Sequence, residues 1–302
     1  MNILFRSDSS SYIGTGHVMR DLVLAKQYEN EDHNIIFATQ DLPYNINDKI
    51  KDSGYQVKTL LTNDVDEIIN IIKLEKVDMV VIDHYDIDIN YETKLKDKTG
   101  VKILSFDDMY SYHNCDIVLN HNVCGKKERY KDLVPKNCEI RCGEEFTLIR
   151  DEFKIEKNKP KQKKDKLSVL VAIGGSDSTN INIKILEVLE TFQDIYVDVV
   201  TTNANGNLEE LKFYCKDKKS IKLHIDTTKM AKLIHNSNFA IITPSVTANE
   251  VLFMGVPFIA IKTVDNQDEM YRYLIKNNYE AMSKFKGSIL MNKIQKILNE
   301  KN

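Results

Sequence analysis

Short, nearly continuous apolar runs punctuate the first half of the chain at 2–7, 34–39, 55–60, 77–83, 101–106 and 116–120. Runs such as Val77-Asp78-Met79-Val80-Val81-Ile82 lack the in-out alternation of a half-exposed strand, which predicts parallel strands covered on both faces. Segments with helical spacing fall between most of them, at about 17–29, 43–53, 64–75 and 90–98. This alternation predicts βαβ units. It breaks at 154–166, which holds seven Lys, one Pro and a single apolar residue, and predicts a linker. The alternation then restarts, with strand runs at 167–173, 195–202, 220–225, 238–243 and 257–262. Helical segments fit 180–192, 207–218, 228–237, 246–254, 267–278 and 288–300. The expected architecture is therefore α/β: two doubly wound, Rossmann-like domains, 1–153 and 167–302. They are expected to face a cleft at the carboxyl ends of their sheets, where open α/β sheets bind ligands.

Composition narrows the function classes. The 302 residues are 42% hydrophobic and 29% charged, an ordinary globular balance that excludes global disorder. The net charge of −3 offers no basic field for nucleic acid. The Lys-rich 154–166 segment has no interleaved aromatics, and Glu156 and Asp165 dilute it, so it too argues against a nucleic-acid patch. No apolar run approaches the ~20 residues of a spanning helix, so no membrane insertion is expected. The start, Met1 to Asp8, reads as a core strand rather than a signal peptide. Five cysteines without a paired framework point to reduced thiols and a cytoplasmic setting. Only six of the 42 basic residues are Arg, which draws attention to each as an anion ligand.

Three segments could carry chemistry. The first, Ile13-Gly14-Thr15-Gly16-His17-Val18-Met19-Arg20, follows the first strand and opens the first helix. Gly14 and Gly16 let backbone approach a ligand, and free N–H groups at a helix start attract an anion. The helix dipole there disfavours an imidazolium, so His17 is a sensible general base. The second, Gly174-Gly175-Ser176-Asp177, closes the first strand of the second half. It has neither Walker nor dinucleotide spacing and by itself marks only a turn. The third places Ser245 and Thr247 at a helix start, suited to phosphate oxygens, with Glu250 one turn in, suited to ribose hydroxyls. Gly255-Val256-Pro257 and Asn266-Gln267 follow.

Together these segments resemble the two-domain GT-B nucleotide-sugar transferases, particularly the GlcNAc transferase of murein synthesis. A more detailed resemblance lies in the series Arg6-x-Asp8, Gly14-x-Gly16-His17-x-x-Arg20, Asp83-x-Tyr85, Asp107-Asp108, Asn120-His121-Asn122 and Gly143-x-x-Phe146-x-Leu148-Ile149-Arg150-x-x-Phe153. This series is similar to the UDP-sugar hydrolases of pseudaminic acid biosynthesis, over roughly 1–280. The resemblance implies a GT-B fold, a cytoplasmic enzyme serving flagellin glycosylation, no cofactor and no metal. It implies release of a 2,4-diacetamido-2,4,6-trideoxy sugar from UDP by inverting attack of water, with His17 as base. Arg6, Asp8, Gly14, Gly16, Arg20, Tyr85, Asn120 and Asn266 are then expected on the sugar and diphosphate. Gly174, Gly175, Ser176, Ser245, Thr247 and Glu250 are expected on the nucleotide. The UDP-sugar is the expected partner, and no other pathway enzyme is required.

The chemistry is self-consistent. Glycosidases use a second carboxyl to protonate a poor leaving group. A nucleotide diphosphate leaves readily, so one base and one water suffice, with dipoles stabilising the departing charge. Two other readings stay open: a transferase that moves the sugar to an acceptor, and a non-enzymatic nucleotide-sugar binding module. Other signals are weaker. Asp64-Val65-Asp66 and Asp86-Ile87-Asp88 match a metal-binding D-x-D but precede helices, where Asp caps are common. His113, Cys115, His121, Cys124, Cys138 and Cys142 crowd one stretch, but a core strand interrupts them and no zinc knuckle occurs. His121 alternatively lines a strand end.

Overall fold

A computed structural model describes residues 1–299 apart from 163, 164, 176 and 178. The chain forms two compact units, Met1–Leu148 and Ile149–Asn302. The first runs β1 (Asn2–Ser7), α1 (Gly16–Asn30), β2 (Asn34–Gln40), α2 (Asn47–Asp52), β3 (Gln56–Leu60), α3 (Val65–Glu75), β4 (Met79–Asp83), α4 (Ile89–Thr99), β5 (Lys102–Phe106), β6 (Ile117–Asn120) and β7 (Glu139–Cys142). All seven strands are parallel, in the order β3-β2-β1-β4-β5-β6-β7. Apolar residues fill both faces of this sheet. Ile3, Phe5, Val18, Phe37, Val81 and Leu104 belong to one cluster, and Leu4, Ile36, Ile68, Val80, Leu95 and Ile103 to the other.

The second unit begins with α5 (Asp151–Lys157). It continues β8 (Leu167–Ala172), α6 (Asn182–Leu189), β9 (Ile195–Thr201), α7 (Leu208–Cys215), β10 (Ile221–Ile225), α8 (Met230–His235), β11 (Phe239–Ile242), α9 (Val246–Met254), β12 (Phe258–Ile261), α10 (Asp268–Lys276), β13 (Glu280–Met282) and α11 (Gly287–Asn299). Its six parallel strands are ordered β10-β9-β8-β11-β12-β13. The two sheets share a topology, each with its strand order reversing between the first strand and the fourth. No helix among the described residues is long and apolar enough to cross a membrane.

Three elements depart from the sequence reading. β7 and β13 are edge strands, and neither Glu139-Ile140-Arg141-Cys142 nor Glu280-Ala281-Met282 forms an apolar run. With a neighbour on one side only, an edge strand needs less hydrophobic surface and tolerates charge. The expected linker at 154–166 starts inside α5, which packs on α8 and α9 of the second unit. Fully buried Phe153 anchors that helix, and Lys157 Nζ donates to the Phe253 carbonyl at 2.6 Å. Lys163 and Lys164 of that segment lie outside the described residues. The two D-x-D segments are helix starts: Asp64 accepts from the Asp66 N–H at 3.0 Å, and Asp88 from Asn90 and Tyr91 at 3.0 and 3.1 Å. Each cap is worth about 1 kcal/mol to its helix.

Candidate active site

The carboxyl ends of four neighbouring strands build the site of the first unit. β1 runs into Asp8, β4 ends on Asp83, β5 leads to Asp107 and Asp108, and β6 ends on Asn120 before His121. The register places Ser7 directly beside Asp83. α1 returns over these ends through the glycine turn. Gly14 sits at φ 83°, which an L side chain rarely adopts, and its N–H donates to the Ser10 carbonyl at 2.8 Å. The helix then starts at Gly16, so the N–H groups of residues 16–18 have no intrahelical acceptor.

This path buries His17 against Asp83. His17 Nδ1 lies 2.6 Å from Asp83 Oδ1. An ionised carboxylate only accepts, so Nδ1 carries the hydrogen, and in the neutral ring Nε2 then holds the lone pair. Nε2 makes no hydrogen bond among the described residues and is not sealed from solvent. Arg20, one turn along α1, grips the same carboxylate with two bonds: Nε to Oδ2 and a terminal nitrogen to Oδ1, each 2.5 Å. Burial alone would raise the Asp83 carboxyl. The Arg20 guanidinium and His17 outweigh it and hold Asp83 well below the usual carboxylate range. The other Arg20 nitrogen reaches His121 Nε2 at 3.1 Å, and its guanidinium lies over Phe106, 5.0 Å from the ring centre. Burial and the Arg20 charge push His121 well below the ordinary imidazole value, so it stays neutral. Tyr85 packs edge-on against His17 with ring centres 4.8 Å apart, and its hydroxyl donates to Asp108 at 3.1 Å.

Several expected ligand residues are spent inside the fold. Arg6 and Asp8, both with fully covered side chains, pair with each other at 2.8 Å. Arg6 also donates to Asn63 at 2.9 Å, and Asp8 accepts from the Gln40 N–H at 2.7 Å. Asn120 donates to the Tyr130 hydroxyl at 3.2 Å and accepts from the Asn122 N–H at 3.2 Å. Arg20 is the counter-ion of Asp83 rather than a free anion ligand. The sequence reading assigned no role to Asp83, although its motif series contained it. A strand-end carboxylate is the signal that pointed there. Asp21 gave no signal: it is wholly buried, and its two carboxyl oxygens have no hydrogen-bond partner among the described residues. Burial, then the Asp83 charge, raise its carboxyl well above the usual range.

In the second unit, Gly174 adopts φ 70° and Gly175 lies against β9. A Cβ on Gly175 would meet Thr202 at 2.8 Å, and its carbonyl accepts from Thr201 and Thr202 hydroxyls at 3.0 Å. Ser176 lies outside the described residues. Asp177 caps the next helix, accepting from the Ile181 and Asn182 N–H groups at 3.0 and 3.1 Å. Ser245 is the N-cap residue of α9, with its hydroxyl 3.1 Å from that of Thr243, and Thr247 sits in the first turn. Glu250 is buried and takes two bonds from Arg150, 2.7 and 3.0 Å long. Burial pushes the Glu250 carboxyl up while Arg150 pulls against it. Asn266 is exposed on the short turn after β12. Among the described residues no three His, Cys, Asp or Glu groups gather as a metal ion would need.

Two parallel doubly wound units, each with its functional groups at strand ends, define the GT-B class. The solved structures agree. The Acinetobacter baumannii MurG structure aligns with a TM-score of 0.64 at 14% identity, covering 99% of this chain and 91% of that one. An Anabaena HepE structure in complex with UDP-glucose aligns with a TM-score of 0.66 at 11% identity, covering 100% and 90%. These likenesses establish the fold. No family model matches the chain. Among curated proteins, the UDP-2,4-diacetamido-2,4,6-trideoxy-beta-L-altropyranose hydrolase of Campylobacter jejuni is 41% identical over 94% of this chain and 100% of its own. The chain belongs to the family of that hydrolase. The spore coat polysaccharide biosynthesis protein SpsG of Bacillus subtilis is 25% identical over 88% of the chain and 79% of its own.

Proposed function

We propose that this chain hydrolyses a UDP-linked 2,4-diacetamido-2,4,6-trideoxy sugar to UDP and the free sugar, without a metal and with inversion. The observation that carries the reading is the Asp83–His17 pair, within a chain that belongs to the hydrolase family. Asp83 fixes the ring so that Nε2 presents a lone pair. Nε2 takes a proton from water as the water oxygen bonds to the anomeric carbon. The bond from that carbon to the diphosphate oxygen breaks, and its electron pair leaves with UDP. The diphosphate needs no acid to depart; helix-start N–H groups and the Ser245 and Thr247 hydroxyls stabilise its charge. Arg20 keeps Asp83 ionised, so the dyad remains poised as His17 gains a proton, in the manner of other carboxylate-oriented histidines. Tyr85, in contact with His17, and exposed Asn266 meet the sugar. Gly174, Gly175 and Glu250 meet the nucleotide, Glu250 through the ribose hydroxyls.

The test is incubation of purified protein with the UDP-sugar and no acceptor. Hydrolysis yields equimolar UDP and free sugar, and proton NMR taken before mutarotation shows the inverted anomer. An intact donor would overturn the proposal and leave a transferase or a binding module on the same fold.

A further inference from the structure

Next to the His17 pair, the first unit holds a second buried charge cluster that the hydrolytic reading leaves unused. Glu92 on α4 is fully buried, and its carboxylate accepts from three groups. These are the Ser105 hydroxyl at 2.6 Å, His113 Nδ1 at 2.7 Å and the Asn114 N–H at 2.6 Å. Asp107, just after β5, faces the opposite edge of the same ring, its Oδ1 3.9 Å from Nε2: an ion-pair distance rather than a hydrogen bond, since buried Nε2 has no hydrogen-bond partner among the described residues. Asp107 also ties its own turn together, accepting from the Met109 N–H at 2.9 Å and the Ser111 N–H at 3.1 Å, while its carbonyl accepts from the Tyr130 hydroxyl at 2.8 Å.

Between Asp107 and His113 lies the turn that carries Asp108. Asp108 accepts the Tyr85 hydroxyl at 3.1 Å and lies 3.5 Å from an Arg20 nitrogen. Met109 and Tyr112 on this turn are about half exposed or more, whereas Tyr110 packs on Tyr130 with ring centres 4.9 Å apart, so apolar packing holds the middle of the turn and leaves its two flanks to polar contacts. A neutral His113 would leave Glu92 and Asp107 as two buried anions with no cation between them, a costly arrangement. We infer that His113 is a positioning residue: gripped as an imidazolium by Glu92 and Asp107, it fixes the 107–113 turn so that Asp108 is held against Tyr85 and Arg20. The inference rests on the reading that the His17 centre performs the chemistry, and it names the device that sets the tyrosine beside it.

The groups facing His113 are Glu92 from α4 and Asp107 from the turn after β5; Ser105 and Cys115 nearby are neutral. Burial alone would lower His113, but Asp107 and Glu92 outweigh it and push it up to about 9. A histidine raised in the folded state stabilises fully below its unfolded value of 6.5, and the contribution is lost as pH rises through about 9. The clamp should therefore loosen on the alkaline side only.

The experiment follows the whole chain by NMR and by kinetics. The His113 ring signals, assigned by their loss in His113→Gln, should titrate near 9, and the Tyr85 ring signals should shift with the same midpoint. That movement of Tyr85 should vanish in His113→Gln. With the UDP-sugar as probe, His113→Gln should lower kcat/KM roughly tenfold at neutral pH and remove the alkaline limb, with UDP affinity unchanged. Adding Asp108→Asn to His113→Gln should cost no more than Asp108→Asn alone, because both act through one contact. Glu92→Gln, which keeps the side-chain shape, should reproduce the effect should His113→Gln fold poorly. Titration of His113 near 6.5, a Tyr85 signal indifferent to it, or additive losses would overturn the inference. Absence of hydrolysis by the wild-type chain would overturn the proposed function instead, and the NMR result would still decide whether the clamp positions Tyr85.

Discussion

The ends of the central strands in the two units make an instructive pair. Both sheets reverse order between their first and fourth strands, and both send a glycine turn from the first strand into a helix. In the first unit those strands end in Asp8 and Asp83, and an imidazole and two guanidinium groups are buried against them. In the second they lead to Gly174-Gly175 and Thr243-Pro244-Ser245, where backbone and hydroxyl groups prevail; of the nearby carboxylates, Asp177 caps a helix and Glu250 holds Arg150 through one oxygen, Oε1. The scaffold supplies an edge where side chains converge; on the proposed reading, a few residues decide that the first edge orients a proton acceptor and the second cradles an anion. A dense ion cluster suits the former, because low surrounding polarity strengthens each contact and fixes one geometry. Neutral donors suit the latter, because they stabilise a departing diphosphate without needing to be neutralised when it is gone.

The largest expected effect comes from making the first unit resemble the second. Asp83→Asn removes the charge that selects the His17 tautomer and leaves Arg20 buried without its anion. Turnover should drop on the order of 10³-fold or more, with a lower thermal midpoint by calorimetry, since breaking a buried pair costs about 3–5 kcal/mol. His17→Ala or His17→Asn should lower turnover by ~10²-fold or more. Calorimetric titration should show UDP binding as tightly as before in both His17 variants. Near-wild-type turnover in either would erase the distinction between the two strand-end sites.

A smaller effect is expected from the second unit. Glu250→Ala should weaken UDP binding by about tenfold, the worth of a charge-assisted hydrogen bond, with kcat nearly unchanged at saturating substrate. A loss confined to kcat would assign Glu250 to chemistry and blur the comparison. Excess EDTA should leave the rate within error of the untreated enzyme. Inactivation reversed by magnesium or manganese would mean that a cation, rather than helix-start donors, carries the diphosphate charge.

The smallest effect concerns Asp21, the buried carboxyl behind the pair. Its folded carboxyl is raised above the ordinary value by burial and by Asp83. Folding therefore takes up a proton between the unfolded value of 3.8 and the raised folded one, and stability falls as pH rises through that window. Asp21→Asn, which mimics the protonated acid, should raise the melting midpoint more at pH 8 than at pH 5. An equal shift at both values would mean that Asp21 is ionised in the folded protein.

Much of the plan was legible in the order of residues along the chain. Buried parallel strands write themselves as apolar runs, and helices between them keep a regular spacing, so eleven of the thirteen strands among the described residues and the doubly wound class follow from pattern alone. The Gly14-x-Gly16-His17 turn was equally plain, because a glycine turn into a helix is local chemistry. What the tertiary structure decided is which charges meet. Asp83 lies 66 residues from His17, and the doubly wound class, which sets β4 beside β1, does not say that these two side chains meet. That adjacency turns Arg20 from a prospective anion ligand into a counter-ion. It also sets Asp83 near buried Asp21, whose carboxyl is raised, because burial and the surrounding charge set the state of an ionisable group and its residue type alone does not. Edge strands β7 and β13 and the helix at 151–157 escaped for a related reason: their stability comes from the neighbour they dock on rather than from a hydrophobic signature of their own.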